Sequence, residues 1–351
     1  MKSLRYLFFV SVVGLCMLSS CGGSQQPAEE AAVTGVDSLQ IEASQIFQPL
    51  PAQADAPDNP ITAPKVALGK MLYYDTRLSA KGNNSCNSCH NLNTFGVDQK
   101  PTSPGDDGKN GNRNSPTTLN AALHISQFWD GRANTVEEQA GMPILNPDEM
   151  HIPNEAFLVK RLKSVTEYPK LFAEAFPEEK NPLTYKNITR AIAAFERTLI
   201  TPSRFDDYLA GNTEALTKEE KDGLKTFMYT GCTTCHTGST LGGQMLQKFA
   251  VYGNYWEQTG STAIDSGRIA VTKSASDLFM FKVPSLRNIA ETYPYFHDGS
   301  VADLSKAVSI MGKTQLNKNL SASEVKRIVT FLKALTGKVP DDAKVNPLAA
   351  K

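Results

Sequence analysis

The sequence predicts a mainly α-helical protein of two domains with long connecting loops. Three observations carry that expectation. Apolar residues recur at helical spacing in segment after segment, while strand signals are few. A five-residue motif, C-x-x-C-H, occurs twice, at Cys86–His90 and at Cys232–His236. Each copy follows a helical pattern and precedes a long loop rich in Gly, Asn and Pro, at 91–118 and 237–276, of a length that commonly carries function. One copy per domain places the boundary near Thr201–Pro202.

The elements follow in chain order. Lys2 and Arg5 precede an apolar stretch, Tyr6–Leu18, too short to cross a bilayer comfortably, which reads as an export signal. It ends in "LSSC", Leu18–Cys21, which resembles a bacterial lipobox and implies cleavage after residue 20 and acylation of Cys21, a stable membrane anchor in the periplasm. Residues 21–60, rich in Ala, Pro, Gln and acidic residues, read as a tether with one short ordered piece around Leu39–Phe47. The first domain spans 61–200. In it "PKVALGKMLYYDTRL" puts Val66, Leu68, Met71, Leu72 and Leu78 largely on one face, and "ITRAIAAFERTL" spaces Ile188, Ile192, Phe195 and Leu199 as a helix. The second domain spans 201–341. Thr217 with Glu220, and Ser321 with Glu324, form capping-box patterns; Leu224, Phe227 and Met228 follow the first, and Val325, Ile328, Val329 and Leu332 follow the second, with Gly337 read as its stop. Residues 342–351 read as a tail.

Composition narrows the function. The chain carries 36 Lys and Arg against 36 Asp and Glu, and loss of residues 1–20 leaves 34 against 36, so nothing points to nucleic acid as a partner. Of six cysteines, Cys16 leaves with the signal and Cys21 takes the lipid; the other four are the two C-x-x-C pairs. Two thiols three residues apart suit addition to the two vinyl groups of one haem, with the adjacent histidine as proximal iron ligand. A redox dithiol, a zinc half-site and a structural disulfide compete. The helical context, the single histidine per pair and the repetition favour two covalently attached c-type haems. A haem closed by Met suits electron transfer, and an open one suits peroxide, so a closed and an open haem would explain the duplication.

The stretches "LYYDTRLSAKGNNSCNSCHNL", "NRNSPTTLNAALHISQFWDGRA", "FMYTGCTTCHTG", "VPSLRNIAETYPYFHDGS" and "AVSIMGKTQL" resemble, in the same order, the bacterial di-haem cytochrome c peroxidases, over about residues 61–341. The resemblance implies two cytochrome-c-like domains, commonly in a homodimer, and reduction of hydrogen peroxide to water with electrons from a small periplasmic cytochrome c or cupredoxin. It implies that His90, beside Cys86 and Cys89, ligates the peroxidatic haem iron. His236 and Met311 would be the axial pair of the electron-accepting haem at Cys232 and Cys235. Glu149 falls at the family's acid/base, Gln139 at its distal glutamine and Trp129 at the tryptophan between the haems. Asn114 (side chain) and Thr292 and Pro294 (backbone carbonyls) match ligands of a Ca²⁺ between the domains, an oxygen set suited to that ion. His297 matches a buried histidine near the haem propionates.

One departure stands out. Many relatives carry a histidine in the loop after the first motif that caps the peroxidatic iron in the oxidised enzyme. Here that position is Asp106, in "PTSPGDDGKNGNRN", and residues 91–123 contain no histidine. The favoured expectation is an iron that is five-coordinate or water-bound without prior reduction. The alternatives are capping by His124 or His151, or the altered chemistry of relatives that modify a partner protein. Those relatives carry Tyr where Met311 stands, which argues against the last. A non-enzymatic di-haem electron carrier is the competing class.

Overall fold

The computed structural model describes residues 37–349; the signal and lipid-anchor readings lie outside them. Thirteen α-helices occur among these residues. In chain order they are α1 Ser38–Ile46, α2 Ala63–Tyr74, α3 Cys86–Cys89, α4 Val136–Leu145, α5 Glu155–Lys163, α6 Tyr168–Ala175 and α7 Tyr185–Glu196, then α8 Arg204–Leu209, α9 Lys218–Thr230, α10 Tyr255–Thr259, α11 Ile269–Thr272, α12 Leu304–Leu316 and α13 Ala322–Lys333. The two strands, β1 Leu246–Lys248 and β2 Met280–Lys282, form an antiparallel ribbon pairing Gln247 with Phe281. No described helix is long and apolar enough to cross a membrane.

The helical periodicities convert into two apolar cores. The first gathers Leu68, Leu72, Leu78, Ile188, Ile192, Phe195 and Leu199, with Val66 and Met71 packed against it. The second gathers Leu224, Phe227, Met228, Val325, Ile328 and Leu332. Both ends of the described chain join these cores. Ala43 and Phe47, in the short ordered piece expected around Leu39–Phe47, are buried in the second, and Ala54 and Asn59, read as tether, are buried as well. Ala343, in the segment read as a tail, is buried in the first, and its carbonyl accepts the Tyr74 hydroxyl at 2.8 Å.

Both capping boxes form. Thr217 Oγ1 accepts the Glu220 N–H at 3.2 Å while Glu220 Oε2 accepts the Thr217 N–H at 2.8 Å; Ser321 and Glu324 repeat the exchange. Gly337, however, does not stop α13. The helix ends at Lys333, with Ala334 as a right-handed cap. Gly337 instead donates its N–H to Asn288 Oδ1 at 2.8 Å, and a Cβ there would lie 2.1 Å from the Thr201 carbonyl oxygen. Close backbone approach, which the sequence pattern does not reveal, explains this glycine.

Candidate functional site

Each motif is a single turn set at the end of packed helical structure. Ser85 and Ser88 cap α3 reciprocally, and the turn closes with the His90 N–H donating to the Cys86 carbonyl at 2.9 Å. Tyr73, buried on α2, donates its hydroxyl to the His90 carbonyl at 2.6 Å, tying the motif to the first core. In the second copy, Gly231 ends α9 in the left-handed conformation and the His236 N–H donates to the Cys232 carbonyl at 3.0 Å. The His236 Nδ1 lies 2.9 Å from the Leu241 carbonyl oxygen. A carbonyl only accepts, so Nδ1 carries the proton and Nε2 keeps its lone pair for a metal. Burial lowers the pKa of both histidines, favouring the neutral, ligating form.

The four cysteines are unpaired. Burial raises Cys86, and pushes Cys89 up to about 11 and Cys232 to about 12. A redox dithiol needs a lowered thiol pKa, so these surroundings oppose that reading. Among the described residues no group of three or more His, Cys, Asp or Glu side chains could hold a metal ion, which opposes zinc. Both motifs instead line one cavity of about 1500 Å³, beyond the ~300–1,000 Å³ of an ordinary small-ligand pocket. Paired thiols beside a neutral histidine, twice, in a cavity of that size fit two c-type haems.

The remaining candidates face the same cavity. Gln139 reaches it from α4, Met311 from α12, and Asn114, Thr292 and Pro294 from loops. Trp129 also lines it; its Nε1 donates to the Asn114 carbonyl at 2.9 Å, and its backbone carbonyl accepts the Lys282 N–H at 2.7 Å, so the ring is anchored in the first half and the backbone in the second. Glu149 projects from the turn after α4. Asn146 Nδ2 donates to its Oε1 at 2.9 Å, yet burial raises its pKa above the usual carboxylate range.

Asp106 does not reach the cavity. The loop around it folds back through a Pro104–Asn110 bridge; Gly105 and Lys109 line the cavity, and Asp106 turns behind them, 2 % exposed. Its Oδ2 accepts the Lys81 N–H at 3.0 Å and its N–H donates to the Glu149 carbonyl at 2.6 Å. Gly105 is required for this docking, since a Cβ would lie 2.2 Å from the Asp148 carbonyl oxygen. Of the two spare histidines, His151 sits at the surface beside Asp107, while His124 is half-buried along the cavity wall near Lys282. His297 also lines the cavity, its ring stacked on Phe281 at 4.3 Å.

Sequence reasoning passed over Tyr73, Glu196 and Arg287. Glu196 left a readable trace: it stands four residues after Ile192, on the face of α7 that otherwise buries Ile188, Ile192 and Phe195.

Comparison with known proteins agrees with this geometry. Residues 63–214 match the family described as di-haem cytochrome c peroxidase. The chain is 45% identical over 309 residues to a cytochrome c551 peroxidase of Pseudomonas aeruginosa, covering 87% of this chain and 88% of that protein. It is 46% identical over 292 residues to a cytochrome c551 peroxidase of Nitrosomonas europaea, covering 83% and 84%. A crystal structure of a MauG-like protein associated with microbial copper homeostasis superposes with a TM-score of 0.75 at 30% identity, over 85% of this chain and 97% of that one. The fold and the doubled motif thus define a di-haem, c-type oxidoreductase. The chain belongs to the di-haem cytochrome c peroxidase family, and its enzymatic class is that of a cytochrome c peroxidase.

Proposed function

We propose that this enzyme reduces hydrogen peroxide to water in the periplasm, drawing two electrons from a small cytochrome c or cupredoxin. Electrons would enter at the haem that Cys232 and Cys235 hold and pass to the one that Cys86 and Cys89 hold. The observation that carries this reading is one cavity lined by both motifs together with Met311, Glu149 and Gln139.

The haems, when bound, supply the one-electron chemistry and the iron on which peroxide is cleaved. The chain's own residues set the asymmetry. His236 and Met311 would hold one iron, where a Met ligand would raise the potential, as suits an electron acceptor. On the other side, Glu149 takes a proton from peroxide and returns it to the departing oxygen; its partly apolar surroundings move its pKa toward the working pH. Gln139 offers an amide to hold the bound oxygens. Trp129, held by hydrogen bonds to both halves, lies on the route between the two sites. Asn114, Thr292 and Pro294 fit a Ca²⁺: among the described residues no backbone N–H donates to the Thr292 or Pro294 carbonyl, although Asn114 Nδ2 is engaged with the Lys100 carbonyl. Acylated Cys21 would tether the enzyme to a membrane, a reading supported by the "LSSC" sequence.

The test is peroxide-dependent oxidation of a reduced small cytochrome c by the holoenzyme, with cyanide titration of the oxidised form. Turnover with one cyanide-binding haem supports the proposal. Two low-spin haems that bind no cyanide, without turnover, would establish the electron-carrier alternative.

A further inference from the structure

Glu196 ends α7 inside the first half. It is 4 % exposed and lines the cavity shared with Cys86. Among the described residues its carboxylate has no hydrogen bond and no salt bridge; its backbone carbonyl accepts the Leu199 N–H. The neighbouring ionisable groups compensate it only weakly: Arg197 lowers its pKa, less than burial and Glu137 raise it. Glu137 of α4, which adds like charge, is bound to Arg197 at 2.8 Å, so the one nearby cation is already paired. Tyr73 of α2 feels the Glu196 charge and burial keeps it protonated, while Cys86 of α3, bonded to the haem in the holoenzyme, brings no charge. An unpaired buried carboxylate is costly, and protonation removes that cost. Burial, followed by Glu137, pushes this carboxyl up to about 8.

We infer that Glu196 is a redox-linked proton site: it takes up one proton when the haem at Cys86 and Cys89 gains an electron and releases it when that electron leaves. The inference rests on a haem being held at that motif, but not on peroxide being its substrate. The balance is simple. One electron from the donor converts ferric to ferrous iron, and one proton from water converts the carboxylate to a carboxylic acid, so the charge of the buried region is unchanged. A ferric centre carries one more positive charge than a ferrous one. It therefore favours the carboxylate, and reduction favours the acid. The geometry supplies the rest: with no partner to hold either form, the proton affinity of Glu196 follows the charge across the cavity wall.

The test is the midpoint potential of each haem against pH in the holoenzyme, followed by spectroelectrochemistry. The N-terminal haem of the wild type should lose potential as pH rises through neutrality, with a limit of about 59 mV per pH unit for one proton per electron. In Glu196→Gln, a permanent mimic of the acid, that slope should vanish and the potential should stay near the wild-type low-pH value. The C-terminal haem serves as internal control. An unchanged slope in Glu196→Gln overturns the inference. Redox-difference infrared spectroscopy tests it on the unmodified enzyme: a protonated-carboxyl band should appear on reduction, and its absence overturns the inference whether or not the variant loads haem. Loss of peroxide turnover with the pH slope intact would count against the proposed function alone.

Discussion

The backbone N–H of Asp106 donates to the carbonyl oxygen of Glu149 at 2.6 Å, joining the loop after the first motif to the turn that bears the candidate acid/base. The residue at the position of the family's capping histidine thus holds Glu149 in place and keeps its own side chain out of the cavity, with Oδ2 on the Lys81 N–H. A carboxylate turned away from the cavity offers no ligand to an iron held at His90.

The oxidised enzyme as isolated is therefore expected to show a high-spin ferric signal from one haem and to turn over peroxide without prior reduction. Electron paramagnetic resonance and a lag-free assay check this. A fully low-spin spectrum with a reduction-dependent lag would contradict it. Gly105→Ala should lift the loop off Asp148 and lower turnover while both haems stay attached.

Glu149→Gln removes the proton acceptor and keeps the side-chain shape. Peroxide turnover should fall by about 10²–10⁴-fold, the usual contribution of a positioned acid/base, with haem content unchanged. Steady-state assays beside a haem absorbance measurement decide it.

The pH profile follows from the same residue. In the proposed role Glu149 is a base, so kcat/KM for peroxide should fall as pH drops through its ionisation. Burial raises that pKa, so the fall begins above the ordinary Glu value of about 4.3. Activity is retained above the raised pKa and lost below it. A profile flat down to the ordinary range would remove Glu149 from the role.

Met311→His exchanges the thioether on α12 for imidazole. The potential of the C-terminal haem should drop, because methionine ligation raises it, while the N-terminal haem is little changed. Potentiometric titration resolves the two.

Arg287 is fully buried and grips Asp206 through two hydrogen bonds, at 2.6 and 2.9 Å, while its Nε donates to the Ser239 carbonyl just beyond the second motif. Arg287→Ala strands the Asp206 carboxylate and should cost about 3–5 kcal/mol. A shift in the denaturant midpoint measures it.

The sequence by itself determined what is local or covalent. Helical periodicity marked the faces that carry Leu72, Ile188 and Ile328 into the cores, because burial of an amphipathic stripe depends on spacing within one element. Capping pairs at Thr217 and Ser321 were legible for the same reason, and C-x-x-C-H is a haem signature because cysteines and ligand share one turn. The tertiary structure alone decided what depends on distant segments meeting. Gly337 looked like a helix stop until the Thr201 backbone appeared beside it. The histidine missing at position 106 signalled an open site, but only the fold shows Asp106 pinned behind Glu149. Nor can spacing along α7 reveal that Arg197, the cation adjacent to Glu196, is engaged by Glu137 from another helix. Charge compensation is a property of three-dimensional neighbours, so the proton chemistry of this cavity was decided by packing.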